Sequence, residues 1–174
     1  MWLLYVFIVL TIIVFVLGMI APQDYQVQRS TTIKLPLSKV FDYLKYLKNQ
    51  DDWSPWQRRD PNMKKEFKGI DGQPGFVSAW EGNKDVGAGE QELTNLVDNK
   101  RIESELRFLK PFKSTSDAFI EVEPGDDDST RVTWGFSGKN NFPMNIIMLF
   151  SSMDKMVGKD FEEGLNNLKE RLEA

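Results

Sequence analysis

Residues 142–174 have the sequence FPMNIIMLFSSMDKMVGKDFEEGLNNLKERLEA, and their apolar pattern is the strongest indication of the fold. Apolar residues recur in it every three or four positions, which is the spacing of one face of an α-helix. They are Phe150, Met153, Val157, Phe161, Leu165, Leu168 and Leu172. The pattern predicts one long amphipathic helix, and its apolar face needs a second apolar surface to pack against.

Six short runs upstream of this helix predict an antiparallel sheet that supplies the second surface. Turn-forming residues separate the runs, which are MKKEFKGI (63–70), FVSAWEGN (76–83), GEQELTNLV (89–97), RIESELRFL (101–109), SDAFIEVE (116–123) and TRVTWGFSG (130–138). Apolar and polar residues alternate within them, as on a sheet with one buried face. In the last run Val132, Trp134 and Phe136 share the apolar face. The other face carries alternating glutamates together with Arg101 and Arg107, and we expect it to face solvent.

The segment that precedes these runs predicts one more strand and short helices. YQVQRSTTIKL (25–35) is rich in β-branched residues and is expected to be a strand. Residues 36–48 have helical spacing, and NQDDWSPWQRRDPN (49–62) predicts a loop or a broken helical turn. The predicted fold class is therefore α+β, with about seven strands in a curved antiparallel sheet, two short helices after the first strand and a long C-terminal helix across the sheet.

The N-terminal segment predicts a membrane anchor. Residues 1–20, MWLLYVFIVLTIIVFVLGMI, are apolar apart from Thr11 and Gly18, and no charged side chain occurs before Asp24. A helix of this length spans about 30 Å, enough to cross the hydrocarbon core of a bilayer. We expect residues 1–22 to form a transmembrane anchor and residues 23–174 to form one globular domain.

A cleaved signal peptide and a buried core helix are the two alternatives for this segment. A signal peptide begins with basic residues and ends in a small-x-small cleavage site, whereas this chain begins MWLLY and leaves the segment as GMIAPQD. Arg29, Lys34 and Lys39 follow the segment, so the positive-inside rule slightly favours a cytoplasmic domain. These few charges leave the side of the membrane undetermined.

The composition excludes several classes of function. The chain has no histidine and no cysteine, which removes Ser-His-Asp chemistry, thiolate nucleophiles, disulfides and most zinc sites. It has 26 acidic and 22 basic residues, and no basic block dense enough to follow a phosphate backbone. We therefore expect no nucleic-acid partner, and any catalysis would need carboxylates, Lys, Arg, Tyr, Ser or Thr.

Two motifs that suggest ligand sites are better explained as strand connections. KDVGAGE (84–90) lacks the third glycine of a dinucleotide motif, and no helix follows it to hold a phosphate. Asp126, Asp127 and Asp128 would bind calcium only with further oxygen ligands, and their spacing is not that of an EF-hand. The sequence therefore predicts no metal site and no cofactor.

Several local motifs carry a resemblance to a known family. They are WSPW (53–56) followed by Asp60 and Pro61, WEGN (80–83), VGAGE (86–90), TRVTW (130–134) and MDKMVGKDFEEGLNNLK (153–169). In this order and spacing they resemble the polyketide cyclase/dehydrase branch of the START-like (SRPBCC) superfamily, from about Tyr25 to Leu172. The resemblance implies a helix-grip fold and the binding of hydrophobic ligands. No catalytic residue set of the cyclases matches this chain, so none is carried over.

An aromatic group provides the candidate ligand-binding residues. A curved sheet held by one helix often leaves space between the two, and an aromatic-lined space suits an apolar ligand. The candidates are Trp53, Trp56, Phe76, Trp80, Phe108, Phe119, Trp134, Phe136 and Met153. Packing in an ordinary hydrophobic core is the alternative for each of them, because aromatic residues dominate cores with or without a cavity.

Three functions agree with these observations. The first is membrane-anchored binding of a hydrophobic or amphipathic small molecule, such as a lipid, an isoprenoid quinone or an aromatic metabolite. The second is a cyclase- or dehydratase-type enzyme that acts on such a ligand, for which a carboxylate buried in the cavity would have a raised pKa. The third is a membrane adaptor or regulator with a protein partner that the sequence does not identify.

Overall fold

A computed structural model describes all residues, Met1–Ala174, and confirms the predicted fold class. The helices are α1 (Trp2–Ile20), α2 (Leu37–Leu44), α3 (Gln50–Trp53), α4 (Pro55–Arg59), α5 (Met144–Ile147) and α6 (Met153–Glu173), with a 3-10 turn at Leu47–Asn49. The strands are β1 (Asp24–Ile33), β2 (Lys64–Lys68), β3 (Val77–Glu81), β4 (Ala88–Val97), β5 (Arg101–Lys110), β6 (Ser114–Pro124) and β7 (Thr130–Lys139). Each predicted strand is present, with its bounds shifted by two residues at most.

The seven strands form one antiparallel sheet in the order β1-β7-β6-β5-β4-β3-β2. Strands β2 to β7 follow one another as a meander, and β1 pairs with β7 from Asp24↔Lys139 to Ile33↔Thr130. We call the end of the sheet where β1 begins and β7 ends the anchor end, because α1 leads directly into it. The β3–β4 and β5–β6 hairpins turn at the same end, since Glu81 pairs with Ala88 and Phe108 is opposite Ser114.

Alternation along the strands gives the sheet one apolar and one polar face. On the inner face, Val27, Val122 and Val132 are almost completely buried. Glu123 and Arg131, which are adjacent to Val122 and Val132 in sequence and lie on the outer face, are exposed. This division follows from the two-residue period of a strand, and it places the hydrophobic core against the helices.

Helix α6 packs over the β1–β7 side of the sheet. The Phe161 ring lies 4.2 Å from the Trp134 ring and 5.4 Å from the Phe136 ring, centroid to centroid. Arg29 of β1 donates hydrogen bonds to Asp154 (2.7 Å) and Glu162 (2.7 Å) of α6. Packed aromatic rings and this half-exposed ion-pair cluster therefore hold α6 against β7 and the edge strand β1.

The C-terminal region departs from the prediction of one continuous helix. Helix α5 ends at Ile147, and α6 begins at Met153 after Ser152, whose hydroxyl accepts a hydrogen bond from the Lys155 amide (3.2 Å). Serine is a preferred N-cap because its side chain satisfies a free amide of the first turn. Phe150 lies in the break and is 85% exposed, so its expected place on the buried face of the helix is wrong.

Helices α2 and α3 cover the inner face toward the end opposite to the anchor end. Val40, Phe41 and Leu44 of α2 are buried in the core. Trp53 of α3 packs edge-on against Trp134 at 4.8 Å, and its backbone carbonyl accepts a hydrogen bond from the Asn167 side chain of α6 (3.0 Å). The predicted loop at residues 49–62 thus contains two short helices that join the sheet to α6.

Helix α1 is long and apolar enough to cross a membrane, with a mean hydropathy of 3.1, and none of its residues is buried. Its last turn contacts the segment that follows β7. The Asn145 side chain donates a hydrogen bond to the Gly18 carbonyl (2.7 Å), and Phe142 lies so close to Gly18 that a Cβ atom there would be 2.8 Å from its ring.

The close contact between α6 and the sheet predicts the effect of Gly164→Ala. A Cβ at Gly164 would lie 2.7 Å from the Trp134 ring and 3.3 Å from Pro55, so the packed ring would have to shift. We expect the substitution to lower the free energy of unfolding by about 1–3 kcal/mol. Chemical denaturation of the detergent-solubilised full chain, followed by circular dichroism, measures this change.

Asn166→Ala on the exposed side of α6 is the matched control and should leave stability unchanged or slightly raised. In an open helix, Gly→Ala stabilises by about 0.5–1 kcal/mol. A stabilising effect of Gly164→Ala would therefore contradict the close approach of α6 to Trp134.

Candidate ligand-binding site

The helices bury the middle of the inner face of the sheet and cover its anchor end only in part. The row of residues that crosses β1 at Val27 is buried on every strand from β1 to β4. The next two rows toward α1 contain several half-buried inner-face residues, and the large ones without charge are Tyr25, Trp80, Gln91, Leu106 and Phe108. Together with buried Ser116 they form the floor of an open groove.

The sides of the groove come from the helices. Met153 and Val157 of α6 and Trp56 of α4 pack against the core and remain half-exposed. The Trp56 ring meets the rings of Trp134 (5.7 Å) and Phe161 (6.0 Å) edge-on, so α4 adjoins α6 at this point. Met153, Val157 and Trp56 form the sides of the groove, and the sheet residues named above form its floor.

Polar contacts hold α4 between α6 and the β3–β4 hairpin. Arg59 at the end of α4 forms an ion pair with Asp160 of α6. The next residue, Asp60, accepts a hydrogen bond from the Asn83 amide of the hairpin (2.7 Å). These contacts fix one side of the groove relative to its floor.

Gly89 allows the Trp80 ring to lie on the floor. Trp80 and Gly89 are paired across β3 and β4, and Phe108 is paired with Gly89 from the other side. A Cβ at Gly89 would be 2.7 Å from the Trp80 ring, while the Trp80 and Phe108 rings meet edge-on at 6.0 Å. An aromatic surface therefore extends across three strands.

Two polar pairs interrupt this apolar surface. The hydroxyls of Tyr25 and Ser116 are 2.7 Å apart, and the Gln91 side-chain amide donates to the Ser104 hydroxyl (2.9 Å). Tyr25 is the titratable residue of the groove, and partial burial raises the pKa of its phenol. Tyr25 is therefore a neutral hydrogen-bonding group at physiological pH.

Two buried polar atoms of the short helices α3 and α4 have no hydrogen-bond partner. They are the indole N–H of Trp53 and the side-chain oxygen of Gln57. An unsatisfied buried polar group costs about 1–3 kcal/mol, so such atoms usually bind water or a ligand. Trp53 belongs to the packed core, and Gln57 follows Trp56 in α4.

The outer face carries the ion pairs that its alternation predicts. Arg107 binds Glu90 (2.5 Å), Glu92 (2.8 Å) and Glu105, each on the solvent side of β4 or β5. Elsewhere on the surface, hydrogen bonds and ion pairs lower the pKa values of Glu81 (with Lys110) and Asp154 (with Arg29). These two carboxylates therefore lack the raised pKa that an acid catalyst in an apolar cavity needs.

Two clefts on the polar surface do not suit an apolar ligand. One, of about 800 Å³, lies at the end opposite to the anchor end, and its lining includes Lys100, Glu121 and Arg131. The other, of about 450 Å³, lies beside Asp24 and Lys139. Each has a single hydrophobic residue in its lining, so the groove is the better candidate site although it is open.

The nine predicted site residues fall into three groups. Four lie in the groove, namely Trp56, Trp80, Phe108 and Met153. Four are part of the packed core, namely Trp53, Phe76, Trp134 and Phe136, which are 1–7% exposed. Interlocked rings therefore fill the expected space between sheet and helix around Trp134, and half-buried rings remain only at the anchor end.

Phe119 is the ninth residue, and its prediction is wrong. It lies on the outer face, where the Arg101 guanidinium is 4.2 Å from the centre of its ring. Its neighbours Ala118 and Ile120 are the ones that point inward and are buried. Strand alternation therefore excludes Phe119 from the groove.

Sequence analysis did not predict five of the groove residues, namely Tyr25, Gln91, Leu106, Ser116 and Val157. Leu106 and Gln91 have a detectable signal, because they are two residues from Phe108 and Leu93 and thus share their face. Tyr25 and Ser116 have no such signal, since their pairing across 91 positions depends on the order of the strands.

Comparison with known proteins agrees with this fold. Residues 24–173 match the family described as polyketide cyclase / dehydrase and lipid transport, so the match excludes α1. A comparison with curated proteins gives no match.

Solved structures are similar in fold but distant in sequence. A protein from Nitrosospira multiformis has 16% identity and a TM-score of 0.62, covering 85% of this chain and 96% of its own. One from Thermobifida fusca has 21% identity and a TM-score of 0.58, with 84% and 92% covered. Ara h 8.0201 has 12% identity and a TM-score of 0.56, with 86% and 95% covered. At these identities the likeness shows the fold alone.

The floor geometry predicts the effect of Gly89→Ala. The new methyl group would meet the Trp80 ring at 2.7 Å and the Arg107 carbonyl at 2.6 Å. We expect a loss of about 1–3 kcal/mol in unfolding free energy, and part of this loss should disappear in a Trp80→Ala background. A double-mutant cycle by chemical denaturation measures both. Equal losses in the two backgrounds would contradict the position of Trp80 over Gly89.

Proposed function

The chain belongs to the polyketide cyclase/dehydrase and lipid transport family, and from this membership we propose that it binds a hydrophobic or amphipathic small molecule while anchored to a membrane. Residues 1–22 are the proposed transmembrane anchor, and residues 23–174 are the proposed START-like binding domain. The groove at the anchor end is the proposed binding site.

The observation that carries this proposal is the half-exposed aromatic surface on the inner face of the sheet. Burial of apolar area contributes about 25 cal/mol per Å², so uncovered aromatic rings on a core face are a source of binding free energy. Trp80 and Phe108 supply this area, and Met153 supplies a flexible side chain that adapts to different ligand shapes.

The chemistry of the lining limits the class of ligand. The residues that define the groove are uncharged, and the nearest charge on the inner face, that of Lys65 beside Trp80, is already paired with Asp51. A ligand with a buried ionic group would therefore lose hydration without gaining a free partner. Tyr25 and Gln91 offer neutral hydrogen bonds. These properties favour a neutral or amphipathic molecule such as a lipid, an isoprenoid quinone or an aromatic metabolite.

The location of the groove supports a ligand that dissolves in the bilayer. Helix α1 ends at the same end of the sheet at which the groove is uncovered. Anchoring would thus keep the site close to the phase where apolar molecules concentrate, which raises the local ligand concentration.

Trp80→Ala and Phe108→Ala test the site directly. Each should reduce ligand retention by about tenfold or more, since burial of one large apolar side chain contributes about 1.5–3 kcal/mol. Native mass spectrometry of the full chain extracted in mild detergent, followed by organic extraction, measures the bound fraction.

Phe119→Ala is the matched control, because it removes the same kind of side chain from the opposite face of the sheet. It should retain ligand as the unchanged protein does. If no ligand co-purifies with the unchanged protein and none binds when supplied, or if Phe119→Ala lowers retention as strongly as Trp80→Ala, the proposed site is wrong.

A further inference from the structure

We propose that a second surface of the protein docks on the bilayer, in the interface of the leaflet from which α1 emerges. This surface, called the rim, consists of Leu109, Phe112, Phe142, Ile147, Leu149 and Phe150. The inference rests on the proposed anchoring by α1, and it does not depend on which ligand the groove binds.

The rim is a concentration of exposed apolar side chains at one end of the domain. Outside α1 and the Met1 that precedes it, eleven large apolar side chains are exposed, and the rim contributes six of them. Phe112 and Phe150 are 70% and 85% exposed. Single exposed apolar residues are ordinary, but a group of them at one end of a domain marks a surface that contacts an apolar phase or a partner.

The charge pattern of the rim segments fits a lipid surface. No charged residue occurs from Asn140 to Met153, the stretch that contains α5 and four of the six rim residues. In the β5–β6 hairpin, Lys113 follows Phe112, and Lys110 on the other side is paired with Glu81. An apolar tip beside Lys113 suits the boundary between acyl chains and headgroups, because the ammonium group reaches the phosphates while the ring enters the apolar layer.

Direct contact with α1 distinguishes a bilayer from other occupants. The Asn145 side chain is bonded to the Gly18 carbonyl, and Phe142 packs on Gly18, so the α5 segment lies beside the last turn of α1. The apolar run of α1 ends near Ala21, and polar Gln23 and Asp24 follow. That last turn would therefore lie at the membrane interface, which is where apolar faces of short segments insert by about 5–10 Å.

The two hairpin residues of the rim belong to the same end of the sheet. Gly138 of β7 pairs with Tyr25 of β1 on one side and with Ser116 of β6 on the other. The start of β6, and with it the turn of the β5–β6 hairpin, therefore lies level with the start of β1. Strand β5 is two strands from β7, about 10 Å away. The rim thus gives two contacts beside α1, which would fix the domain with the groove end toward the bilayer.

The absence of cysteine in the chain allows a site-specific test. Single substitutions Val9→Cys, Phe112→Cys, Phe150→Cys and Asp127→Cys each accept one spin label, and the full chain is reconstituted in nanodiscs of phosphatidylcholine and phosphatidylglycerol. Collision with oxygen reports an apolar environment, and collision with a nickel chelate reports water. Positions 112 and 150 are well exposed, so these substitutions leave the core intact.

The proposal expects a several-fold higher ratio of oxygen to nickel accessibility at positions 9, 112 and 150 than at 127, which lies in the β6–β7 hairpin at the opposite end. A water-like ratio at 112 and 150 with a lipid-like ratio at 9 overturns the docking and leaves the anchoring in place. A water-like ratio at 9 overturns both. Occlusion of 112 and 150 from both reagents also overturns the proposal, because it indicates a protein contact.

Discussion

One helix cannot cover a seven-stranded sheet, and this mismatch governs the rest of the structure. A helix with its side chains is about 10–12 Å across, whereas seven strands at about 4.8 Å spacing extend over roughly 29 Å. Phe161 and the ion pairs of Arg29 hold α6 over β1 and β7, at one side of the sheet. The remaining inner face needs other cover. Helices α2 to α4 provide it at depth, and no element of the domain provides it fully over Trp80 and Phe108.

The uncovered part of the inner face lies where the chain meets the proposed membrane. The groove, the exposed segment around α5 and the tip of the β5–β6 hairpin all lie at the anchor end, together with the end of α1. Apolar surface that would be a liability in free solution is compatible with folding if it faces lipid or an apolar ligand. The same geometry thus accounts for a binding site that is open and for a rim that is exposed. It also explains why the polar clefts of the outer face are poor candidates.

The sequence predicts the strands and their buried faces well. It predicts poorly which part of the buried face the helices cover. The two-residue alternation identified each strand and the buried face of residues such as Trp134, because that signal is local. Phe119 was misassigned because its aromatic character was given more weight than its position between inward-facing Ala118 and Ile120. The break before Ser152 was missed because the apolar spacing continues through it, while an N-cap interrupts the helix without interrupting the spacing. Whether an inner-face aromatic residue is core, as Trp53 is, or groove, as Trp80 is, depends on where the helices lie, and no local pattern contains that information.

The proposed site requires an inner face that is open to an apolar molecule at the anchor end and closed around the buried core. Isotope-filtered nuclear Overhauser spectroscopy on the methyl-labelled full chain, with a protonated dodecyl-chain probe in deuterated detergent, measures this difference. We expect contacts from the probe to the methyl groups of Leu106 and Val157, and none to those of buried Leu93 and Leu168. Absence of contacts at Leu106 and Val157, or equal contacts at all four residues, would contradict the proposed site.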